Sequence, residues 1–362
     1  MVKINAMNFK YRLKKLMISR PIVLIGAGQL GLMILKMWPQ NLQRPLMFLD
    51  SAKTGMIEGI PIQSMANHVF NPNFLYILCF FKDRPNVINQ IFKEANQELI
   101  TVYDIFEIFL PDKFGNGWYA NIVDYLQLKQ TKSYYSDFRS KQVIESAAQW
   151  KFRRKLLESL KIADEATKYN FNFINPEHKT YDFVIDGGCH NFYLLEKLRS
   201  SGISFKKYLA VEPDPNSPVN GTGSLMEKLP RGIEIIRKGL VGNSLQRALL
   251  WSGLLSARLV PNPSNTKSDI ELVRFSDLVK EYGMDLNHRI LIKLHIEGLE
   301  FDVIREFLPL ITGWKHIHFM INLSHNKESL IQIPRLLSKH GYTLTLESHS
   351  LFGEGITLYA KM

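Results

Sequence analysis

At 362 residues, 46% hydrophobic and 22% charged, the chain has the composition of a globular protein and length for two cores of about 150 residues plus a connector. Wholesale disorder is excluded, and two cysteines, Cys79 and Cys189, exclude a disulfide framework or a four-thiolate zinc site, which points to a reducing, cytoplasmic setting. The net charge of +11 raises the question of a polyanionic partner, yet six of these charges (Lys3, Lys10, Arg12, Lys14, Lys15, Arg20) fall in residues 1–20, leaving five over the other 342.

Residues 1–20 therefore read as a basic, solvated, partly helical tail able to touch an anionic membrane surface, and no specific nucleic-acid partner is expected. The apolar run Pro21–Trp38 is interrupted by three glycines, Gln29 and Lys36, short of the roughly 20 apolar residues a membrane-spanning helix requires. It reads instead as strand, turn and helix. IVLIGAGQLG at 22–31 places Gly26, Gly28 and Gly31 in G-x-G-x-x-G spacing, where the glycines allow a tight turn, close ligand approach and close helix packing. A second strand over Pro45–Leu49 ends in Asp50, 19 residues past Gly31, the place for a carboxylate that binds ribose hydroxyls. FLYILCF at Phe74–Phe80, a helix over Asn86–Ala95 and a strand over Glu98–Val102 continue a βαβ alternation, hence a parallel sheet. The stretch from Gly26 through Asp50 to the Gly59-Ile60-Pro61 turn resembles the N-terminal nucleotide-sugar-binding domain of sugar acetyltransferases. That resemblance implies a uridine nucleotide, a UDP-sugar; the glycine pattern itself leaves NAD open, as it does a fold that has lost its ligand.

Residues 116–180 lose the strand pattern and read as a helical connector, with helical periodicity over 119–127 and 137–161. Eight basic and two acidic residues lie between Lys129 and Lys155, with Tyr134, Tyr135, Trp150 and Phe152 among them; a solvated helix face with packed aromatics accounts for these better than a nucleic-acid surface does.

The second sheet begins near residue 181, giving units over 21–115 and 181–362. YDFVIDGGCH at Tyr181–His190 is an apolar strand, then Asp186, then a turn through Gly187 and Gly188. Tyr208–Val211 is the next strand and ends in Glu212-Pro213-Asp214, where an acid can hold ribose. Arg289–Gly298 reads RILIKLHIEG, followed by Leu299-Glu300. These motifs together resemble the FkbM-type methyltransferases: Ile292 to Glu300 matches I-K-x-D-V-E-G-x-E, Val184 to His190 resembles V-I-D-x-G-A-N, and Ala210 to Pro215 resembles F-E-P-x-P. The resemblance covers roughly residues 180–362, with a looser likeness, including Ser136–Arg154, to family members that carry a Rossmann-like front domain.

It implies two Rossmann-like doubly wound α/β domains, the C-terminal one a class I methyltransferase fold of seven strands closed by an antiparallel hairpin (Tyr342–Glu347 with Gly355–Ala360). It also implies S-adenosylmethionine as cofactor, contacted by Asp186, Gly187, Gly188, His190, Glu212 and Asp214, and O-methylation of a sugar hydroxyl in polysaccharide or glycan synthesis. The sequence departs from the family at His295, where Asp is usual, at His190 for Asn, at Phe192 for Gly, and at Asn322 for a carboxylate. Phe192 is expected to crowd the cofactor loop, and loss of two acidic groups argues against metal-assisted chemistry. His316, His318, His325, His340 and His349 show no metal-site spacing, so no metal is expected. His295, at a strand end, suits a general base and equally a structural or substrate contact; Glu297 can bind substrate or cap a helix. A degenerate nucleotide-binding regulator and an NAD-dependent oxidoreductase or epimerase acting through Gly26–Asp50 remain the rival readings.

Overall fold

The computed structural model describes residues 6–80, 88, 93, 100–109, 119–154, 162–174, 179–219, 229, 231–243, 248–252, 257–261, 270–350 and 355–362. The helix expected at Asn86–Ala95 and the boundary near 115 lie almost wholly outside them. The chain forms two compact units, one of Met1–Leu126, Ser146–Ala163 and Ser350–Glu354, the other of Gln127–Glu145, Asp164–His349 and Gly355–Met362.

In the first unit, the described part of the basic segment, residues 6–20, is not a solvated tail. α1 (Ala6–Ser19) buries Phe9, Leu13 and Met17, spaced by four along one helix face, and leaves Tyr11, Arg12, Lys14 and Lys15 exposed on the other. The basic charge is thus the outer face of an amphipathic helix. β1 (Ile22–Ile25), wholly buried, leads through the glycine turn into α2 (Gln29–Lys36). β2 (Met47–Asp50), β3 (Gly55–Ile57), β4 (Ile60–Ser64), β5 (Leu75–Leu78) and β6 (Ile100–Thr101) complete a sheet of order β3-β4-β2-β1-β5-β6, parallel except for β3 at the edge. α3 (Val102–Phe109) follows directly. A buried Arg154 ties these helices together. It is ion-paired with Asp104, stacked 3.6 Å from the Trp150 ring and 4.6 Å from Phe9, while Tyr119 donates to Asp104 at 2.6 Å.

The connector is helical, as α4 (Ile122–Thr131) and α5 (Phe138–Arg153), but it is not a separate piece. Each helix contributes residues to both units.

The second unit is built on β7 (Thr180–Gly187), followed by α6 (Tyr193–Ser200), β8 (Ser204–Val211) and β9 (Ile233–Ile236). An insertion that the sequence motifs pass over pairs β10 (Gly239–Val241) with β13 (Leu272–Arg274) around the hairpin of β11 (Ala248–Ser252) and β12 (Ala257–Pro261). Then come α7 (Phe275–Glu281), β14 (Ile290–Leu294), α8 (Glu300–Phe307), β15 (Ile317–Asn322), α9 (Lys327–Lys339), β16 (Thr343–Ser348) and β17 (Ile356–Lys361). The seven-stranded order is β16-β17-β15-β14-β7-β8-β9, with β17 antiparallel to both neighbours and the rest parallel. From β7 the chain winds outward through β8, and from β14 it winds the opposite way through β15. The switch point, where open α/β sheets bind ligands, is therefore at the carboxyl ends of β7 and β14. Among the described residues, no helix is long and apolar enough to cross a membrane.

The glycines of the front turn are not equivalent. A methyl group at Gly31 would lie 2.2 Å from the Gly26 carbonyl oxygen, whereas one at Gly28 would meet nothing within 4 Å. Gly31→Ala is expected to cost about 2–4 kcal/mol of unfolding free energy by forcing helix from strand, and Gly28→Ala less than about 1 kcal/mol. Urea unfolding of the two variants checks the contrast; equal losses would refute it.

Candidate functional site at the carboxyl ends of the second sheet

The floor of the switch point is a buried ion pair. Lys293 and Asp186 are partners in the β14–β7 register; their side chains are 5% and 2% exposed, with Nζ 2.8 Å from Oδ1. Lys293 Nζ also donates to the carbonyl oxygens of Gly187 and Gly188 at 3.1 and 2.8 Å, and the Tyr208 hydroxyl donates to Asp186 Oδ2. Burial alone would lower the lysine pKa, but the Asp186 carboxylate outweighs it and holds the ammonium charged. Asp186 is thus enclosed beneath the turn rather than presented by it. The glycines are likewise explained from within: a Cβ at Gly187 would lie 2.9 Å from Leu240 Cδ2, and one at Gly188, whose φ is +74°, would lie 1.9 Å from the His295 carbonyl oxygen.

Beyond that turn, His190 is exposed and its amide donates to the Gly188 carbonyl at 3.0 Å. Phe192 does not fill the loop. Its ring belongs to the core with Tyr208, Leu194 and Val184, and its φ of +56° is the left-handed conformation that makes glycine the usual residue there.

Glu212, directly after β8, is 7% exposed. Its Oε1 accepts from the Asp214 amide at 2.8 Å, and burial raises its pKa to about 7 against the pull of that amide and of Lys293. Asp214 in turn accepts from the Asn216 amide at 2.9 Å. Glu212 is therefore a desolvated acceptor at a strand tip, with the chemistry to take hydroxyl donors.

On the other side of the switch point a polar cluster forms from two successive turns. His295 follows β14, and its ring nitrogens meet the Tyr169 hydroxyl (Nδ1, 3.0 Å) and the Asn322 amide nitrogen (Nε2, 3.2 Å). Burial, then His325 and Lys293, push its pKa well below the usual value, so the ring is neutral. About a quarter of the His295 side chain, 26%, remains accessible. Glu297 lies 3.6 Å from His295 Nε2 and 3.2 Å from His325 Nδ1. Its φ of +55° is an uncommon, strained conformation for a non-glycine residue. The turn is held by Glu300, wholly buried, whose carboxylate accepts from the amides of Ile296 and Gly298 at 2.9 and 3.0 Å. Glu300 thus orders the turn, and Glu297 faces the two histidines.

Sequence reasoning did not single out Tyr169, Lys293 or His325 for this site. Lys293 had a signal: a lysine inside the otherwise apolar strand ILIKL, buried on both faces, requires a buried acid. Tyr169 and His325 had none, because only the fold brings their turns to His295. His318, by contrast, is enclosed and bonded to the Tyr181 hydroxyl at 2.7 Å.

In the front unit, the Asp50 carboxylate is engaged by backbone. Oδ2 accepts from the Ala27 amide at 2.8 Å, and Oδ1 from those of Ala52 and Lys53 at 2.9 and 3.0 Å. Lys53 Nζ donates to the Ala27 carbonyl at 2.9 Å. Asp50 therefore orders the glycine turn, with Gly28 the open position on it.

The Glu212 carboxyl sets a pH dependence. Its folded pKa lies above the ordinary 4.5, so the folded chain keeps this proton after the unfolded chain has lost it. The residue costs nothing below pH 4.5 and destabilises progressively as pH rises towards 7. Glu212→Gln, which retains an acceptor for the Asp214 amide, is expected to gain about 3 kcal/mol over the unmodified chain between pH 4.5 and pH 8. Denaturant titrations at both pH values measure this; a pH-independent difference would contradict it. Lys293→Met, leaving Asp186 buried and unpaired, is expected to lose about 3–5 kcal/mol at pH 7.

No family model matches the chain, and no curated protein matches it. Among solved structures it is similar to the methyltransferase FkbM from Methylobacillus flagellatus KT, with a TM-score of 0.70 and 16% identity over 99% of this chain and 94% of that one. The alignment takes in the front unit and lends no support to a sugar-acetyltransferase origin for it. At this identity the likeness establishes the fold: the chain is an α/β protein with a Rossmann-like front unit and a C-terminal sheet of the methyltransferase type.

Proposed function

We propose that the second unit is a methyltransferase that uses S-adenosylmethionine and methylates an oxygen of a small or glycan acceptor in the cytoplasm. The observation that carries this reading is the pairing, across one switch point, of the Glu212 carboxylate with the His295–Glu297 cluster. Glu212, with Asp214 ordering its loop, holds the ribose hydroxyls; the Gly187–Gly188 turn and His190 border the remainder of the cofactor. When bound, that cofactor supplies an electrophilic methyl group. The protein's own work is to align an acceptor hydroxyl with it and to remove the hydroxyl proton. In the ion-free chain the basic group is neutral His295, oriented by Tyr169 and Asn322, with Glu297 beside it to stabilise the imidazolium. A sugar hydroxyl suits this polar mouth, and the FkbM-like motifs support that acceptor class.

S-adenosylmethionine is expected to raise the melting temperature of the unmodified chain and not that of Glu212→Ala. With labelled cofactor and a panel of nucleotide sugars, His295→Gln should slow transfer by about 100-fold while leaving cofactor affinity unchanged. Absence of a thermal response to the cofactor would remove the reading.

The open Gly28 favours a second ligand, a nucleotide such as a UDP-sugar or NAD, in the front unit. Because Asp50 is spent on the turn, that ligand meets backbone amides more than a carboxylate. Gly28→Val should abolish UDP-sugar or NADH stabilisation without affecting the response to S-adenosylmethionine. Retained nucleotide stabilisation in that variant would count against a front site.

A further inference from the structure

We infer that His295, Glu297 and His325 form a site for one divalent first-row transition-metal ion. These three residues each offer one ligand atom, and all three atoms lie within 4.8 Å of one another. His295 Nε2 lies 3.6 Å from Glu297 Oε1 and His325 Nδ1 lies 3.2 Å from Oε2, so the two imidazole nitrogens face one carboxylate at distances near the edge of about 3.3 Å between ligands bound at about 2.0–2.1 Å in a tetrahedron. Binding draws the three ligand atoms together from within 4.8 Å of one another. Two imidazoles and one carboxylate select zinc, iron, cobalt or nickel over magnesium or calcium, which demand oxygen ligands.

The surroundings are those of a metal site. The Tyr169 hydroxyl on His295 Nδ1 orients the ring so that Nε2 faces Glu297, and Glu300 lies 3.8 Å from His325 Nε2, behind the ring whose Nδ1 faces the cluster. At 3.8 Å Glu300 acts on that ring through its charge and not through a hydrogen bond. A cation at His295 Nε2 replaces the Asn322 N–H there, while Asn322 keeps its bond from the Ser324 amide at 2.8 Å. Lys293 is ion-paired with Asp186, and against the charges of Lys293 and Lys168 that reach His295 the cluster sets two carboxyls, Glu297 and Glu300, beside its imidazoles. His325 is 4% exposed, but His295 and Glu297 are 26% and 19% exposed, so the site is open on one side for a fourth ligand. Strain at Glu297, with its φ of +55°, is the kind that persists where geometry serves a function.

Spacing conceals the set. His295 and Glu297 come from the turn after β14 and His325 from the turn after the neighbouring parallel strand β15, so the ligands are adjacent in space and distant in sequence. The consequence for catalysis rests on the methyl-transfer reading: an acceptor hydroxyl in the open position would be acidified by the ion, with His295 then a ligand rather than the base. Binding of the ion does not rest on that reading.

The test is Co2+ titration of the full chain after chelator treatment, read by visible d–d absorption and by calorimetry. The expected result is saturation at one equivalent, with competition by Zn2+. His325→Ala and Glu297→Gln, checked for native circular dichroism, should each weaken binding by more than the roughly 10–100-fold that loss of a supporting hydrogen bond costs. If either variant fails to fold, His295→Gln takes its place. No absorption from the unmodified chain, or affinity unchanged in the folded variants, overturns the site. A thermal response to S-adenosylmethionine on the same samples separates the two readings: cobalt binding without it sinks methyl transfer alone, and the reverse sinks the metal alone.

Discussion

Two opposite charges almost out of reach of water, Asp186 and Lys293, join the two strands between which the second sheet reverses direction. Removing such ions from water costs several kcal/mol each, and the pair repays this only when every remaining donor and acceptor is satisfied. Here the lysine donates to the Gly187 and Gly188 carbonyls and faces Asp186 Oδ1 across 2.8 Å as an ion pair. The second carboxylate oxygen takes the Tyr208 hydroxyl from β8. Three central strands, β14, β7 and β8, are thereby locked in register at the ends that carry the site.

From that lock the position of the polar cluster follows. Lysine draws the Gly187–Gly188 carbonyls inward, and the left-handed turn at Gly188 presses so closely on the His295 carbonyl that no side chain fits between them. His295 is consequently fixed in main chain by the turn and in side chain by Tyr169 and Asn322. Five residues on, Glu300 reaches back to the Ile296 and Gly298 amides and holds Glu297 in its uncommon conformation. A rigid shell positions a reactive group more tightly than a loop does.

Much of this architecture was legible in the sequence because strands that are buried on both faces are continuous apolar runs, and the chain shows them at 22–25, 183–185 and 290–292. The turn glycines marked their ends. Less legible were the roles within the motifs. Asp186 and Asp50 stand where ligand-binding acids stand, but the first is committed to Lys293 and the second to three backbone amides; strand-end position alone does not distinguish an acid that orders its own loop from one that faces a ligand. Phe192 looked like an obstruction because its backbone angle, and hence the direction of its ring into the core, is not written in local sequence. The basic segment at the start looked like a tail because its charges are conspicuous and its three buried apolar residues, four apart, are not.

The departures from the FkbM-like pattern acquire a common physical meaning in the cluster. Replacing an aspartate by His295 and a carboxylate by Asn322 removes two anionic oxygens. A neutral imidazole needs less neutralisation than a carboxylate, and the Asn322 amide can donate to it where an acid at that position, when ionised, could only accept. His325 then faces Glu297, so the negative charge retained at the mouth is held between two rings. The substitutions are mutually consistent: histidine at 295 is tolerable because residue 322 donates, and Glu297 faces the two rings because Glu300 takes the amides of the turn. A pattern of losses in sequence is, in three dimensions, an exchange of an oxygen-rich site for one of mixed nitrogen and oxygen character.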